Sequence, residues 1–273
     1  MTVINSNSAA LRAQNGTRLA NQQLQTAMAR LSSGNRINSA SDDAAGLAIS
    51  NSMTSQINGM SQAISNANDG VSMAQTADGS LDEVTNMLQR IRELAVQSAS
   101  GTYSDDDRTN MQAEVGLLTQ QITSTLTNSD FNGVKMFDGS AGGGTGIVSI
   151  QVGANAGDTI DMDFGAIADT TSATSVGTVT DANAAMTTVD AQLKIVNTAR
   201  AKLGAAESRM NSVVNSLTDN VTNLTDARSR IADTDFSSET TNLAKAQILS
   251  QAATAMLAQA NQTPQGVMKL LQG

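Results

Sequence analysis

VDAQLKIVNTARAKLGAAESRMNSVVNSLTDNVTNLTDARSRI, residues 189–231, is the stretch that decides how this chain folds. Within it Leu193, Val196, Arg200, Leu203, Glu207, Met210, Val214, Leu217, Val221, Leu224, Arg228 and Ile231 follow at alternating steps of three and four. That spacing lines one side of an α-helix packing along another helix. A helix of roughly 40 residues spans roughly 60 Å, far beyond a compact domain. It needs partners of similar length. Arg200, Glu207 and Arg228 put charge into an otherwise apolar seam. They read either as intersubunit salt bridges or register pins, or as points where the seam drifts to the surface because 3.6 does not match 3.5.

The partners lie upstream. Met53, Ile57, Met60, Ile64, Ala67, Val71, Ala74, Leu81, Leu88 and Ala95 form a second seam, with Val84, Ile91 and Leu94 as its other edge. Ser41 is the expected N-cap of that helix, with Asp42 and Asp43 in its positive first turn. It should end near Ser100-Gly101-Thr102. Asp105, Asp106 and Asp107 open a third helix, with Met111, Val115, Leu118, Ile122 and Leu126 inward.

Both ends repeat the pattern. Val3, Ser6, Ala10, Ala13, Thr17, Ala20, Leu24, Ala27 and Leu31 form a seam that stops at Ser32-Ser33-Gly34, with Gly34 suited to a helix C-terminus. Residues 35–43 read as a connector. A second break falls at Ala232-Asp233-Thr234-Asp235. Phe236, Glu239, Leu243, Ala246, Ser250, Ala253, Leu257 and Ala260 then mark a last helix. It is expected to stop near Pro264, the single proline, leaving a short apolar tail of Val267, Met268, Leu270 and Leu271.

Between residues 128 and 181 the texture changes. Phe131-Asn132-Gly133-Val134-Lys135-Met136-Phe137-Asp138-Gly139 carries two turn signals around an apolar run and predicts a β-hairpin. Ser140 to Gly146 reads as a flexible glycine-rich link. Ile147–Val152 and Thr159–Phe164 read as strands, and Thr170–Thr180 is non-periodic. The block reads as small and exposed. The fold class is therefore mainly α: a long coiled-coil or bundle hairpin of the whole chain, with a β-hairpin and a small β-rich central insert.

Composition agrees. The 273 residues contain no Trp, one Tyr and four Phe, so the core must come from Ala, Leu, Ile, Val and Met, which favours slim bundles. A net charge of −9 argues against nucleic acid, which demands a basic face. It also opposes self-association unless buried apolar surface wins. No stretch approaches the ~20 apolar residues of a membrane span. Met1–Ser6 is not a basic-then-apolar signal, so a cleaved secretory signal is not the expected route.

Chemistry is constrained as well. With no Cys and no His, thiol chemistry, Ser-His triads and zinc sites lose their residues. Gly139 and Gly144 have P-loop spacing, but Thr145 stands where the lysine belongs. Asp158, Asp161 and Asp163 lack the EF-hand pattern and its closing Glu. Asp42 and Asp43 are adjacent and do not face one site. No catalytic residue, cofactor site or metal site is expected.

The terminal helices point elsewhere. Two narrow seams bury little area, and such a pair is marginal alone. Ile248, Leu249, Ala252 and Met256 remain beside the main seam, and exposed apolar area of this kind marks an interaction surface. The ends are expected to order when copies stack, and head-to-tail contacts that do not close make filaments. An intramolecular coiled coil fits the same periodicity.

Several long motifs resemble one family. Leu31-Ser32-Ser33-Gly34-Asn35-Arg36-Ile37-Asn38-Ser39-Ala40-Ser41-Asp42-Asp43-Ala44-Ala45-Gly46-Leu47-Ala48-Ile49 looks like the N-terminal connector of the bacterial flagellins. Gln89–Ala99 is similar to their inner-domain helix motif, and Phe131–Lys135 to their β-hairpin. Ala244–Leu249 and Ala258–Gln262 are similar to their C-terminal helix. The resemblance covers roughly residues 1–140 and 182–273. It implies an inner coiled-coil domain of 1–42 with 232–273, a rod-like helical domain of 43–140 with 182–231, and a small variable outer domain of 141–181. Ala20, Leu24, Ala27, Leu31, Leu243, Ala246, Ala253 and Leu257 would then be self-assembly seams. It further implies a secreted, extracellular filament subunit exported unfolded through a type III apparatus. The implied partners are other copies, hook-junction and cap proteins, and an export chaperone at the C-terminal helix. Gln89, Arg90, Leu94 and Glu114 match the inter-subunit surface gripped by Toll-like receptor 5. O-glycosylation of Thr170–Thr180 is a further family trait. A hook–filament junction protein is the alternative within the superfamily, and a ligand-binding or enzymatic surface protein the alternative outside it.

Overall fold

The computed structural model describes residues 6–167, 171 and 174–271, with side chains through residue 262. The chain is mainly helical. Its elements run α1 (Ser8–Ser33), α2 (Ala44–Ala99), α3 (Asp105–Asn128), β1 (Asp130–Phe131), β2 (Val134–Lys135), α4 (Ala141–Gly144), β3 (Ile147–Gln151), β4 (Thr159–Asp163), α5 (Val179–Ala232) and α6 (Phe236–Leu271). Contacts divide it into two compact units, residues 56–222 and residues 1–55 with 223–273, and α2 and α5 contribute to both.

The unit of residues 56–222 has a large core. Leu81, Val84, Leu88, Ile91, Leu94 and Ala95 of α2 meet Met111, Val115, Ile122 and Leu126 of α3 and Val189, Val196, Leu203 and Met210 of α5. These are the positions that helical periodicity assigned to the inside. The capping box at Ser104 starts α3: the Ser104 hydroxyl accepts from the Asp107 N–H, and the Asp107 carboxylate accepts from the Ser104 N–H at 3.0 Å. β1 and β2 form the expected hairpin around Asn132-Gly133. Both turn residues have positive φ, which is why Asn and Gly occupy them. β3 and β4 pair antiparallel, from Ile147 opposite Asp163 to Gln151 opposite Thr159.

The middle block is not the exposed appendage expected. Met136, Phe137, Val152, Ile160, Met162, Phe164, Ile167 and Val176 share the same buried cluster as the helices. Alternation along β4 puts Ile160 and Met162 on the buried side, so a short strand supplies core residues that no helical period reveals. The glycine-rich link is a short helical turn, with Gly142 and Gly143 at positive φ.

The second unit holds α1, α6, the start of α2 and the end of α5. Its connectors, residues 34–36 and 232–234, bond to each other. The Arg36 N–H donates to the Ala232 carbonyl at 2.7 Å, the Thr234 N–H to the Gly34 carbonyl at 2.9 Å, and Asn35 bridges Asp233.

Three boundaries differ from expectation. Asp43, not Ser41, caps α2, its carboxylate accepting from the Gly46 N–H at 2.8 Å. Asp42 instead holds the connector, accepting from the N–H groups of Asn38 and Ser39, and those bonds keep its carboxyl below the ordinary carboxylate range. The α5 helix starts ten residues before Val189, because the Thr178 hydroxyl caps the Asp181 N–H and Ala182 and Ala185 bury at once. The α6 helix passes Pro264 and runs to Leu271, since a proline removes one ladder bond while the turns around it keep theirs. Val3, Thr170 and residues 172–173 lie outside the described residues, as do the side chains of the tail.

A Cβ on Gly142, at φ +60°, would lie 1.6 Å from the Ile147 carbonyl oxygen, whereas one on Gly143, at φ +75°, would meet nothing within 4 Å. Urea unfolding followed by circular dichroism should therefore show Gly142→Ala destabilised by more than ~1 kcal/mol, and Gly143→Ala by less than Gly142→Ala. Asp107 provides a pH prediction. The Ser104 hydroxyl, and then the Ser104 N–H, hold its carboxyl below the ordinary carboxylate value. A depressed folded value means that the contribution is complete above about pH 4 and is lost as pH falls further. Thermal melts should show a smaller loss between about pH 5 and pH 2 for Asp107→Asn than for the parent.

Candidate assembly surface

The α1–α6 pair is antiparallel and tied along its length. At one end Asn7 caps α1 by accepting from the Ala10 N–H at 3.0 Å and donates its amide to the Ala260 carbonyl at 2.8 Å. Midway, the Ser250 hydroxyl lies 2.8 Å from the Asn21 amide oxygen. At the other end Arg30 faces Glu239 at 3.9 Å, and Gly34, at φ +73°, closes α1 by donating to the Arg30 carbonyl. Beside that pairing runs a groove of about 440 Å³ lined by Leu19, Thr26, Arg30, Glu239, Asn242 and Lys245 among others.

Small residues make the seam. Ala20, Ala27 and Ala246 are buried, and Gly16 sits opposite Ala253. Leu24, Leu31, Leu243, Ala253 and Leu257 are half-buried. The eight seam positions expected from sequence thus lie on the shared side, but with unequal burial. Small side chains let the backbones approach and consume little apolar area. The large side chains are left outside. Leu11, Leu19 and Met28 on α1, and Phe236, Ile248, Leu249 and Met256 on α6, are exposed, with Phe236 at 69 %. In contrast to the heavily filled core of residues 56–222, this unit buries little besides Ala20, Ala27, Ile37 and Ala246. These large apolar side chains gather on the outer faces of the two terminal helices. Both terminal helices are paired within the chain, held by the caps at Asn7 and Gly34 and by the bonds between them.

A second, polar surface lies on α2 and α3. Gln89 is exposed, and Arg90 donates to Glu114 at 2.8 Å and to Glu93 at 3.1 Å. The bonds it donates to Glu114, and then to Glu93, raise the Arg90 guanidinium above its ordinary value. Leu94 does not share this face. It is 2 % exposed and belongs to the core, because it falls on the same side of α2 as the buried Leu88, Ile91 and Ala95.

The seam charges pair within the chain. Arg200 donates to Asp78 at 2.7 Å and to Asp82 at 2.9 Å, and Gln75 donates to Glu207 at 2.9 Å. Arg92 donates to Asp190 at 2.7 Å, and the guanidinium of Arg228 reaches the Thr54 hydroxyl at 3.5 Å. Each fixes α5 against α2. Sequence reasoning missed Asn7, although an Asn just before a helical pattern is an N-cap signal. It also missed Arg36, whose guanidinium donates to the Ile231 carbonyl at 2.7 Å. A contact between residues 195 apart leaves no local signal. Among the described residues no group of three or more His, Cys, Asp or Glu side chains gathers to hold a metal. No helix among the described residues is long and apolar enough to cross a membrane.

Comparison with known proteins meets this geometry at both ends. The family model for the bacterial flagellin N-terminal helical region matches residues 4–142, and that for the bacterial flagellin C-terminal helical region matches residues 186–271. The chain is 42 % identical over 274 residues to a flagellin of Halalkalibacterium halodurans, covering 98 % of this chain and 99 % of that protein. It is 40 % identical over 260 residues to the flagellar filament 31.3 kDa core protein of Treponema maltophilum, covering 90 % and 91 %. The crystal structure of Bacillus cereus flagellin matches with a TM-score of 0.52 and 27 % identity, over 60 % of this chain and 94 % of that one. A putative flagellar hook-associated protein from Vibrio parahaemolyticus shares the fold, with a TM-score of 0.61 and 18 % identity over 70 % and 100 %. With both helical ends matched and identity near 40 % along almost its whole length, this chain belongs to the bacterial flagellin family.

Proposed function

We propose that the chain is a structural subunit that polymerises into the filament of a bacterial flagellum, with no catalytic role. The observation that carries this reading is the apolar surface left outside the α1–α6 seam: Leu11, Leu19, Met28, Phe236, Ile248, Leu249 and Met256. In water that area costs free energy, roughly 25 cal/mol for each Å² not buried. Stacking copies removes the cost and overcomes the repulsion between subunits of charge −9. Residues 1–42 and 232–273 then form an inner coiled-coil wall, and 43–140 with 182–231 the rod around it. Residues 141–181 face outward while their inner side completes the rod's core. The subunit is exported and acts outside the cell. The family models matched at both ends and the filament-core relatives favour a filament subunit over a hook–filament junction protein.

Partners follow from the same surfaces. Before assembly the exposed face of α6 needs cover, which fits an export chaperone on the C-terminal helix. Hook-junction and cap proteins meet the same terminal surfaces at the filament's ends. Gln89, Arg90 and Glu114 offer an exposed polar cluster to neighbouring copies and to Toll-like receptor 5, with Leu94 acting from beneath by holding α2 in place.

Electron microscopy under polymerising conditions tests the assembly reading. The full chain should form filaments, and a truncated chain of residues 36–235 should form none. Filaments from both, or from neither, would contradict it. For the receptor, reporter cells should respond to purified monomer and respond less to Arg90→Ala. No response to the parent, or an equal response to the variant, removes the receptor from the list.

A further inference from the structure

Methionine is unevenly exposed in this chain. Of the eleven methionines among residues with described side chains, Met73, Met111, Met136, Met162 and Met210 are buried, and Met53, Met60, Met87 and Met186 are half-buried. Met28 and Met256 alone are exposed, at 56 % and 64 %. These two do not sit at random. One is on α1 and the other on α6, each among the large apolar side chains that the terminal seam leaves outside.

A thioether on such a surface has two chemical states of very different polarity. Hydrogen peroxide, a two-electron oxygen donor, reacts at an accessible sulfur. A sulfur lone pair attacks one peroxide oxygen, the S–O bond forms as the O–O bond breaks, and the departing hydroxide takes the proton from the oxygen now on sulfur and leaves as water. The sulfur is oxidised by two electrons and the peroxide reduced by two. The product is a sulfoxide, polar and hydrogen-bond accepting, where an apolar side chain stood. Burying it without a donor is unfavourable. The buried methionines of residues 56–222 are shielded by their core, so the fold of that unit survives an exposure that modifies the ends.

We propose that Met28 and Met256 are oxidation sites through which peroxide blocks polymerisation of the free subunit. This rests on the filament reading above. Free monomer is the vulnerable form, and stacking that covers the terminal helices protects both sulfurs. Because methionine sulfoxide is reversible by its reductases, the block is a switch rather than terminal damage.

The test uses full-length monomer exposed to hydrogen peroxide under native conditions and quenched with catalase. Peptide mass spectrometry should show added oxygen at Met28 and Met256 before Met73, Met136 or Met210. The critical concentration for assembly, read by sedimentation, should rise roughly tenfold, and methionine sulfoxide reductases should restore it. The variant Met28→Leu/Met256→Leu, compared with its own untreated critical concentration, should show no rise after peroxide. Unchanged assembly of oxidised parent, or equal loss in the double variant, overturns the proposal. Oxidation of the core methionines at the same rate overturns it whether or not filaments form. Untreated parent that never polymerises overturns the filament reading instead, and the switch with it.

Discussion

Close packing of α1 against α6 through alanine and glycine is the constraint on which the rest depends. Ala20, Ala27 and Ala246 are small enough to let two backbones approach, and Gly16 opposite Ala253 continues the contact. A seam of this kind holds two helices side by side but buries little. Leu and Ile at the same places would have built a self-sufficient pair. Here the large apolar side chains were displaced to the outside, where a lone chain cannot cover them. The unit is therefore folded and incomplete at once, and incompleteness is what assembly requires.

The unit of residues 56–222 solves the opposite problem. It must hold its own shape, and its interior is filled by Leu, Ile, Val, Met and two phenylalanines. Along such long helices an apolar interface tolerates sliding by a turn, since one leucine row resembles the next. Ion pairs and a charge-assisted hydrogen bond remove that freedom. Arg200 between Asp78 and Asp82, Arg92 on Asp190, and the Gln75 amide on Glu207 match one register of α2 and α5. Surface pairs add little stability each, so their contribution is to selection among registers. Charges that interrupt a seam and look like flaws in the periodicity thus have a structural use.

Much of this was legible in advance, and what was not has identifiable causes. The helices, the Asn132-Gly133 hairpin, the strands at 147 and 159 and the Gly34 terminus follow from local rules of period and turn chemistry. The opening turns of α5, Val179 to Thr188, are too polar to display a seam, although Ala182 and Ala185 bury against the core. Phe137, Ile160, Met162 and Phe164 looked like residues of an exposed insert because their burial depends on a surface supplied by distant helices. Leu94 was assigned to a surface by its neighbours in a motif, although its spacing from Val84 and Ile91 already put it on the seam, where it is buried.

Sequence by itself determined that the chain is helical, that it carries seams at both ends, that it lacks the side chains for thiol or imidazole chemistry, and which family its motifs resemble. Those properties are local or compositional, and they survive without knowing what touches what. Only the tertiary structure decided that Arg36 binds the Ile231 carbonyl, that the charged seam positions pair within the chain, and which apolar residues of the terminal helices remain uncovered. The reason is geometric. A helical period says which side chains share a face, but whether that face is covered depends on partners far away in the chain and on how closely small residues let them approach.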